Sequence, residues 1–314
     1  MYLEIFKALV YTAVFSLLLT PFDFGLARAI GAIDIPADGR RMHTRPIPRL
    51  GGISVFSSFV VFAISFCSGL SALLAGLILG SCIIVVLGIA DDALSLSAKK
   101  KLAVQSLAAM ISASAAISAA NGSTVLFICG VLWILTLTNA HNFIDGLDGL
   151  CAGVSLIETC ALGGLFLLTG SISLALLAFV LGGACIGFLP YNDKKAKLFM
   201  GDTGSAFLGF VIGVLSLELI LRAKGFTALF SIFMILAFPL SDIAFAVTRR
   251  IYQKKSIFSS DRSHIHHILA DRTFGHRGAS VTIRVLSLIS AALGVLLFAV
   301  FYNPSSVFSW ADAV

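Results

Sequence analysis

The sequence predicts an all-α polytopic membrane protein, and three observations carry that prediction. The 314-residue chain is 58% hydrophobic and only 12% charged, against about 25% charged in an ordinary soluble domain. Its mean hydropathy is +1.01. Its apolar residues fall into ten runs, at roughly 4–26, 50–69, 71–90, 102–120, 123–141, 149–169, 171–190, 203–221, 226–247 and 281–302; a bilayer core of about 30 Å needs about 20 residues per helix. No soluble stretch interrupts them, so residues 1–314 read as a single membrane domain of about ten transmembrane helices.

The first run lacks a small-residue cleavage site after it and reads as a span, not a removable signal. The six cysteines, Cys67, Cys82, Cys129, Cys151, Cys160 and Cys185, sit in or beside apolar runs without metal-type pair spacing. They read as small buried apolar residues, not as a disulfide framework. The net charge of +6 follows from topology. Of the 22 Lys and Arg residues, 18 fall in the connections after runs one, three, seven and nine, among them Arg28, Arg45, Arg49, Lys99 to Lys101, Lys194, Arg249 and Arg262. The opposite connections are short and nearly neutral. By the positive-inside rule the basic connections are cytoplasmic, which sets both termini outside and excludes a nucleic-acid reading of the charge. The chain has no internal repeat, which disfavours a transporter.

Every polar motif falls on that cytoplasmic face. Asn139-Ala140-His141-Asn142-Phe143-Ile144-Asp145-Gly146-Leu147-Asp148-Gly149-Leu150 is the most polar dodecamer in a greasy context, and acids at the ends of membrane segments read as functional. The plainer alternative is a polar loop with capping Asn and Asp. Asp91 and Asp92 end the third run. Adjacent carboxylates at an apolar helix end repel, so they share a proton or a cation, unless they form only a solvated end that Lys99 to Lys101 neutralise. Gly201-Asp202-Thr203-Gly204-Ser205 opens the eighth run. Asp202 stands where an N-cap would; the functional alternative is a carboxylate holding Mg²⁺ against a phosphate cradled by backbone amides. His264-Ile265-His266-His267 follows Asp261-Arg262-Ser263. It lacks the Glu or Cys partners of a zinc site and suits phosphate recognition together with Arg262. The arginine-rich loop from Asp34 to Gly52, stiffened by Pro46 and Pro48, either grips a phosphate through residues such as Arg45 or anchors to anionic lipid. Glu158, Glu218 and Asp242 lie within the runs. Glu158 and Glu218 read as structural, and Asp242, after Pro239, borders the site.

Taken in this order and on one face, Asp91-Asp92, the Asn142 to Gly149 core, Phe199-Met200-Gly201-Asp202-Thr203-Gly204-Ser205 and His264-Ile265-His266-His267 resemble the motifs of the polyprenyl-phosphate N-acetylhexosamine-1-phosphate transferases. The Arg45-Pro46-Ile47-Pro48-Arg49-Leu50-Gly51-Gly52 loop and Asp261-Arg262-Ser263 resemble the WecA/TagO-type GlcNAc-1-phosphate branch more than the muramoyl-pentapeptide branch. The resemblance implies transfer of GlcNAc-1-phosphate from UDP-GlcNAc to undecaprenyl phosphate with release of UMP, as the first membrane step of a cell-surface polysaccharide; FucNAc or QuiNAc is the alternative sugar. It implies Asp91 and Asp92 as catalytic residues and Asp202, with Asp145, as ligands of Mg²⁺, for which Mn²⁺ would substitute. Asn139, Asn142, Asp145, Asp148, Arg262, His264, His266, His267 and Arg45 would bind substrate. The implied partners are undecaprenyl phosphate, a UDP-N-acetylhexosamine and the bilayer of a bacterial inner membrane, with no nucleic acid and with a second copy of the chain as a candidate dimer partner. A membrane transporter of an anionic substrate and a metal-dependent membrane hydrolase are the competing classes.

The topology is directly testable. Single cysteines placed at Ser97, Asp193 and Ser259 should resist a membrane-impermeant thiol reagent added from outside, and one at Asn121 should react. Labelling of all four from outside would overturn the orientation.

Overall fold

A computed structural model describes residues 1–35, 45–67, 72–119, 122–223, 225–256, 264–271 and 275–302. Asn121, Ser259, Asp261, Arg262 and Ser263 lie outside the described residues. The order is α1 (Tyr2–Ile30), β1 (Ile33–Asp34), β2 (Ile47–Pro48), α2 (Gly52–Phe66), α3 (Ala72–Leu94), α4 (Ala98–Ala119), α5 (Thr124–Ile144), α6 (Leu150–Leu168), α7 (Ile172–Asn192), α8 (Gly201–Ala223), α9 (Phe226–Ile235), α10 (Ala237–Tyr252), the short α11 (Ile265–Leu269) and α12 (Gly275–Phe301). The two strands pair antiparallel, Ile33 with Pro48 and Asp34 with Ile47.

All ten predicted runs are helical, but two do not cross as single spans. Eight helices are long and apolar enough to cross a membrane, nine if α9 and α10 count as one broken span, where the sequence predicts ten. The α9–α10 pair bends by 78°. Pro239 sits three residues into α10, lacks an N–H, and crowds the carbonyl four residues back, so the ladder cannot run straight through Leu236. The second run yields only the 15-residue α2, about 22 Å long at 1.5 Å per residue. Its start is tied by backbone bonds to the segment before α8. Gly51 N and Gly52 N donate to the carbonyls of Phe199 and Met200 at 3.0 Å each, and Phe199 N donates to Pro48 O at 2.9 Å. That pairing lays the arginine-rich loop against the start of α8.

The bundle is built around α8, whose apolar window is 94% buried; α3, α5, α2, α6 and α4 pack on it. Its enclosure by other helices explains why a hydrophobic run shows no polar face. The outer helices α1 and α12 leave large apolar side chains exposed, Phe6, Leu18 and Phe22 on one and Val285, Leu288 and Leu296 on the other, as lipid-facing helices require. On the buried side of α1 a small polar stripe, Thr12, Ser16, Thr20 and Asp23, faces inward. Ser16 Oγ donates across to Ala184 O on α7 at 2.9 Å. Small and hydroxyl residues of this kind bring membrane helices together where lipid supplies no hydrophobic drive. Asp23 accepts the Ser54 amide at 3.1 Å, so an acid of α1 caps α2.

Gly88 fixes how closely α3 approaches α8. A Cβ there would run into the Thr203 backbone, 2.6 Å from its nitrogen. Gly88→Ala should therefore push the two helices apart; such overpacking costs about 1–3 kcal/mol. The midpoint of thermal unfolding in detergent should drop, and an unchanged midpoint would mean that the crossing has slack.

Candidate active site at one end of the bundle

The site is assembled at the N-terminus of α8. Gly201, at φ 71°, turns the chain so that the first amides of the helix point at α3. Asp92, in the last turn of α3, receives them: Asp202 N at 3.1 Å, Thr203 N at 3.0 Å and Thr203 Oγ1 at 2.7 Å. Its side chain is fully buried and paired with Arg49 Nη2 at 3.1 Å. A carboxylate at a helix N-terminus is favoured by the free amides and by the helix dipole. The capping role that the sequence suggests for Asp202 thus falls to Asp92 on another helix.

Relieved of that task, Asp202 turns its carboxylate toward two cations. Lys101, from the first turn of α4, bonds to it closely and also to Asp91 Oδ2 at 2.9 Å. Arg49 approaches Asp202 at 3.8 Å. Asp91 Oδ1 accepts the Leu96 amide at 2.7 Å, closing the turn at Ser95, whose φ is 52°. That turn folds α4 back so that Lys101 meets an acid ten residues earlier. On the far side Asn142 Nδ2 donates to Ser205 Oγ at 3.1 Å and its amide also serves Asp202. Asp145 follows at the C-cap of α5. Burial, and then the charges of Asp202 and Asp92, push its carboxyl well above the usual carboxylate range.

The other predicted residues divide into two groups. Asn139 lies a turn deeper and ties α5 to α4, donating to Gln105 Oε1 at 3.0 Å and to Leu135 O at 2.9 Å. Asp148 accepts the Ala196 amide at 2.9 Å, while its own carbonyl accepts Ser280 Oγ at 3.0 Å; it moors the Asp145–Gly149 turn to the α7–α8 connection and to α12. The histidines dock on that turn. Asp242 of α10 accepts the Ile265 amide at 2.8 Å and lies 2.8 Å from His264 Nδ1. His264 packs on Phe143 with ring centroids 5.1 Å apart. His266 enters over Gly146, where any Cβ would strike its Nε2, and the ring of His267 lies 4.3 Å from that of His266. Burial, reinforced by His267, lowers the His266 pKa to about 3, so this ring is neutral at pH 7.

Two cations of the site, Lys101 and Arg49, are not among the residues that the sequence assigns to it. Lys101 sits in a lysine run that serves equally as a topology signal, and the only hint of its role is its distance from Asp91 across one tight turn. Arg49, of the same loop as Arg45, pairs with Asp92 and Asp202. Asp242, placed by the sequence at the border of the site, is the anchor of the histidine segment.

Charge of both signs gathered at one end of an apolar bundle defines the class, a multi-pass membrane protein with a polar centre at that end. Residues 74–220 match the model of glycosyl transferase family 4. The chain is 35% identical over 306 residues, 94% of its length and 85% of the relative's, to a protein of Bacillus subtilis named probable undecaprenyl-phosphate N-acetylglucosaminyl 1-phosphate transferase. It is 32% identical to the decaprenyl-phosphate N-acetylglucosaminephosphotransferase of Mycobacterium tuberculosis H37Rv, covering 89% and 78% of the two chains. It is 30% identical to the undecaprenyl-phosphate alpha-N-acetylglucosaminyl 1-phosphate transferase of Escherichia coli K12, covering 90% and 81%. The chain belongs to glycosyl transferase family 4.

His266 gives the site a pH signature. A cationic acid whose pKa drops from 6.5 to about 3 on folding binds fewer protons in the folded than in the unfolded chain. Stability is then lost as pH falls from 6.5 toward 3 and is level in this respect above that window. Between pH 7 and pH 4 the thermal midpoint of the wild type should fall more steeply than that of His266→Gln. Parallel curves would show that the ring is not held neutral by the fold.

Proposed function

We propose that the chain transfers GlcNAc-1-phosphate from UDP-GlcNAc to undecaprenyl phosphate, releasing UMP, at the cytoplasmic side of a bacterial inner membrane. The observation that carries this reading is the cluster in which Asp91, Asp92 and Asp202 alternate with Lys101 and Arg49 at one end of the bundle. The names of the relatives support the acceptor and the sugar. The asymmetry of Lys and Arg supports the orientation. A transporter would place its acids near mid-membrane on broken helices, whereas Asp91, Asp92, Asp145 and Asp202 all lie at helix ends.

In the reaction a phosphate oxygen of the lipid attacks the β-phosphorus of the nucleotide sugar. A new phosphorus–oxygen bond forms as the bond from that phosphorus to the bridging oxygen breaks, and UMP leaves with the bridging oxygen. Phosphoryl transfer asks a protein chiefly for positioning and charge neutralisation. Lys101 and Arg49 meet anionic oxygens. Asp91, beside Lys101, orients the lipid phosphate and takes its remaining proton. Asp92 acts through structure, holding the amides of α8 and Arg49 in place. Asn142 and Asp145 line the nucleotide side. His264, His266 and His267 would meet the diphosphate, and Arg262, next to them in sequence, is assigned to the same group.

Mg²⁺ fits this centre. Asp91, Asp92 and Asp202 pair with Lys101 and Arg49, and Asp145 stands near them, its carboxyl raised first by burial and then by the charges of Asp202 and Asp92. Among the described residues no three His, Cys, Asp or Glu side chains form a closed cage; Mg²⁺ is usually held by one or two carboxylates with substrate oxygens and water. Asp202 and Asp145 would hold it, and the ion would supply charge neutralisation for the diphosphate and for the leaving UMP.

UMP release that depends on both undecaprenyl phosphate and UDP-GlcNAc is the test of the reading, and release without the lipid would point to a hydrolase. Asp202→Asn should leave the protein folded, because Asp92 supplies the cap, yet require far more Mg²⁺ or lose activity at any concentration. Initial rates against Mg²⁺, with thermal stability as control, decide this. An unchanged Mg²⁺ curve would take the metal away from Asp202.

A further inference from the structure

The mechanism leaves unused a pair of ionisable side chains buried beneath the site. His141 and Glu158 are both completely inaccessible, with Nε2 and Oε2 2.7 Å apart. We propose that they act as the positioning pair that fixes Asn142 and Asp145 in the donor site. The proposal rests on the transferase reading given above.

Three features point this way. The first is the geometry of the ring. His141 Nδ1 lies 3.0 Å from Leu137 O. A carbonyl only accepts, so Nδ1 carries the proton, and Nε2 is turned to Glu158. Two hydrogen bonds on opposite edges fix both the place and the plane of the imidazole. Glu158 Oε1 has no hydrogen-bond partner among the described residues, so the bonding of this carboxyl is spent on His141.

The second is the architecture of the hairpin. α5 leans on α8, α4 and α10, and α6 on α7 and α12, while the two arms share few contacts of their own. The His141–Glu158 bond crosses between them, helped by Cys151 Sγ, 3.6 Å from His141 O. On its other side His141 is wedged against α8, where a Cβ at Gly209 would come within 2.9 Å of the His141 Cβ. One side chain thus ties together α5, α6 and α8, the elements that carry or flank Asn142, Asp145 and Asp202.

The third is register. Asn142 follows His141 directly. Asp145 is the C-cap of the same helix, its amide bonded to Asn142 O at 3.4 Å. A shift of His141 therefore moves the last turn of α5, from which Asn142 and Asp145 are hung. An apolar pair of similar volume would stabilise the bundle as well or better, because ionisable groups in a membrane interior are costly. What the bonded pair adds is one distance and one direction.

The test uses the full chain purified in detergent. His141→Phe and Glu158→Leu remove the bond and keep the volume; Glu158→Gln keeps it, since an amide N–H donates to Nε2. Each bond-breaking variant should raise KM for UDP-GlcNAc about tenfold, the order of loss expected from misplacing a binding group by a fraction of an ångström. KM for undecaprenyl phosphate should stay within about twofold on the same argument. The double variant should be no worse than either single variant, and Glu158→Gln should stay close to the wild type. Hydrogen exchange across residues 142–149, read without substrate, should accelerate in the two bond-breaking variants and not in Glu158→Gln. Lowered thermal stability with both KM values and the exchange unchanged would overturn the proposal, as would additive effects in the double variant. A wild-type chain that releases no UMP would overturn the transferase reading, and the exchange measurement would still decide the pair.

Discussion

The structure depends on where one buried carboxylate sends its hydrogen bonds. The Asp92 side chain has no exposed surface, yet it satisfies two amides and a hydroxyl at the start of α8 and an arginine from the loop before α2. A charge in that position would be intolerable alone; paired with a guanidinium and a helix N-terminus, it organises what surrounds it. The end of α3, the start of α8 and the arginine loop are locked in mutual register by this one group. Asp202 can then face Lys101 and Arg49, and the acid beside it, Asp91, is left to the α3–α4 turn.

The same logic of delegation runs through the rest of the site. Asp148 spends its carboxylate on the α7–α8 connection, and Asp242 spends its own on His264 and the Ile265 amide. Acids that read alike in sequence therefore do unlike work. Some hold backbone; Asp202 instead faces Lys101 and Arg49, and Asp145 stands at the C-cap of α5.

Packing supplies the tolerance that this geometry needs. Gly88 lets α3 touch the α8 backbone, and Gly146 lets His266 reach the Asp145–Asp148 turn. A methyl group at either place would open the site by about a carbon diameter, and electrostatic contacts in a site of mixed polarity weaken quickly with distance. The lipid-facing helices α1 and α12 are under no such constraint, and their exposed side chains are simply large and apolar.

What the sequence determined by itself is the membrane class, the helical identity of all ten runs, and the motifs that carry the chemistry. Length, hydropathy and the clustering of polar residues are local properties, written into consecutive residues. The break at Leu236 was also written locally, in Pro239, but a ten-span count passed over it. The rest was decided only by the tertiary structure. Nothing in Lys101 distinguishes it from Lys99 and Lys100 until the Ser95 turn folds it onto Asp91. Arg49 reaches Asp92 and Asp202 because residues 48–52 bond to Phe199 and Met200. The division of labour between Asp92 and Asp202 is invisible in two motifs 110 residues apart, because a carboxylate's role is set by the donors that reach it, and those donors come from other helices.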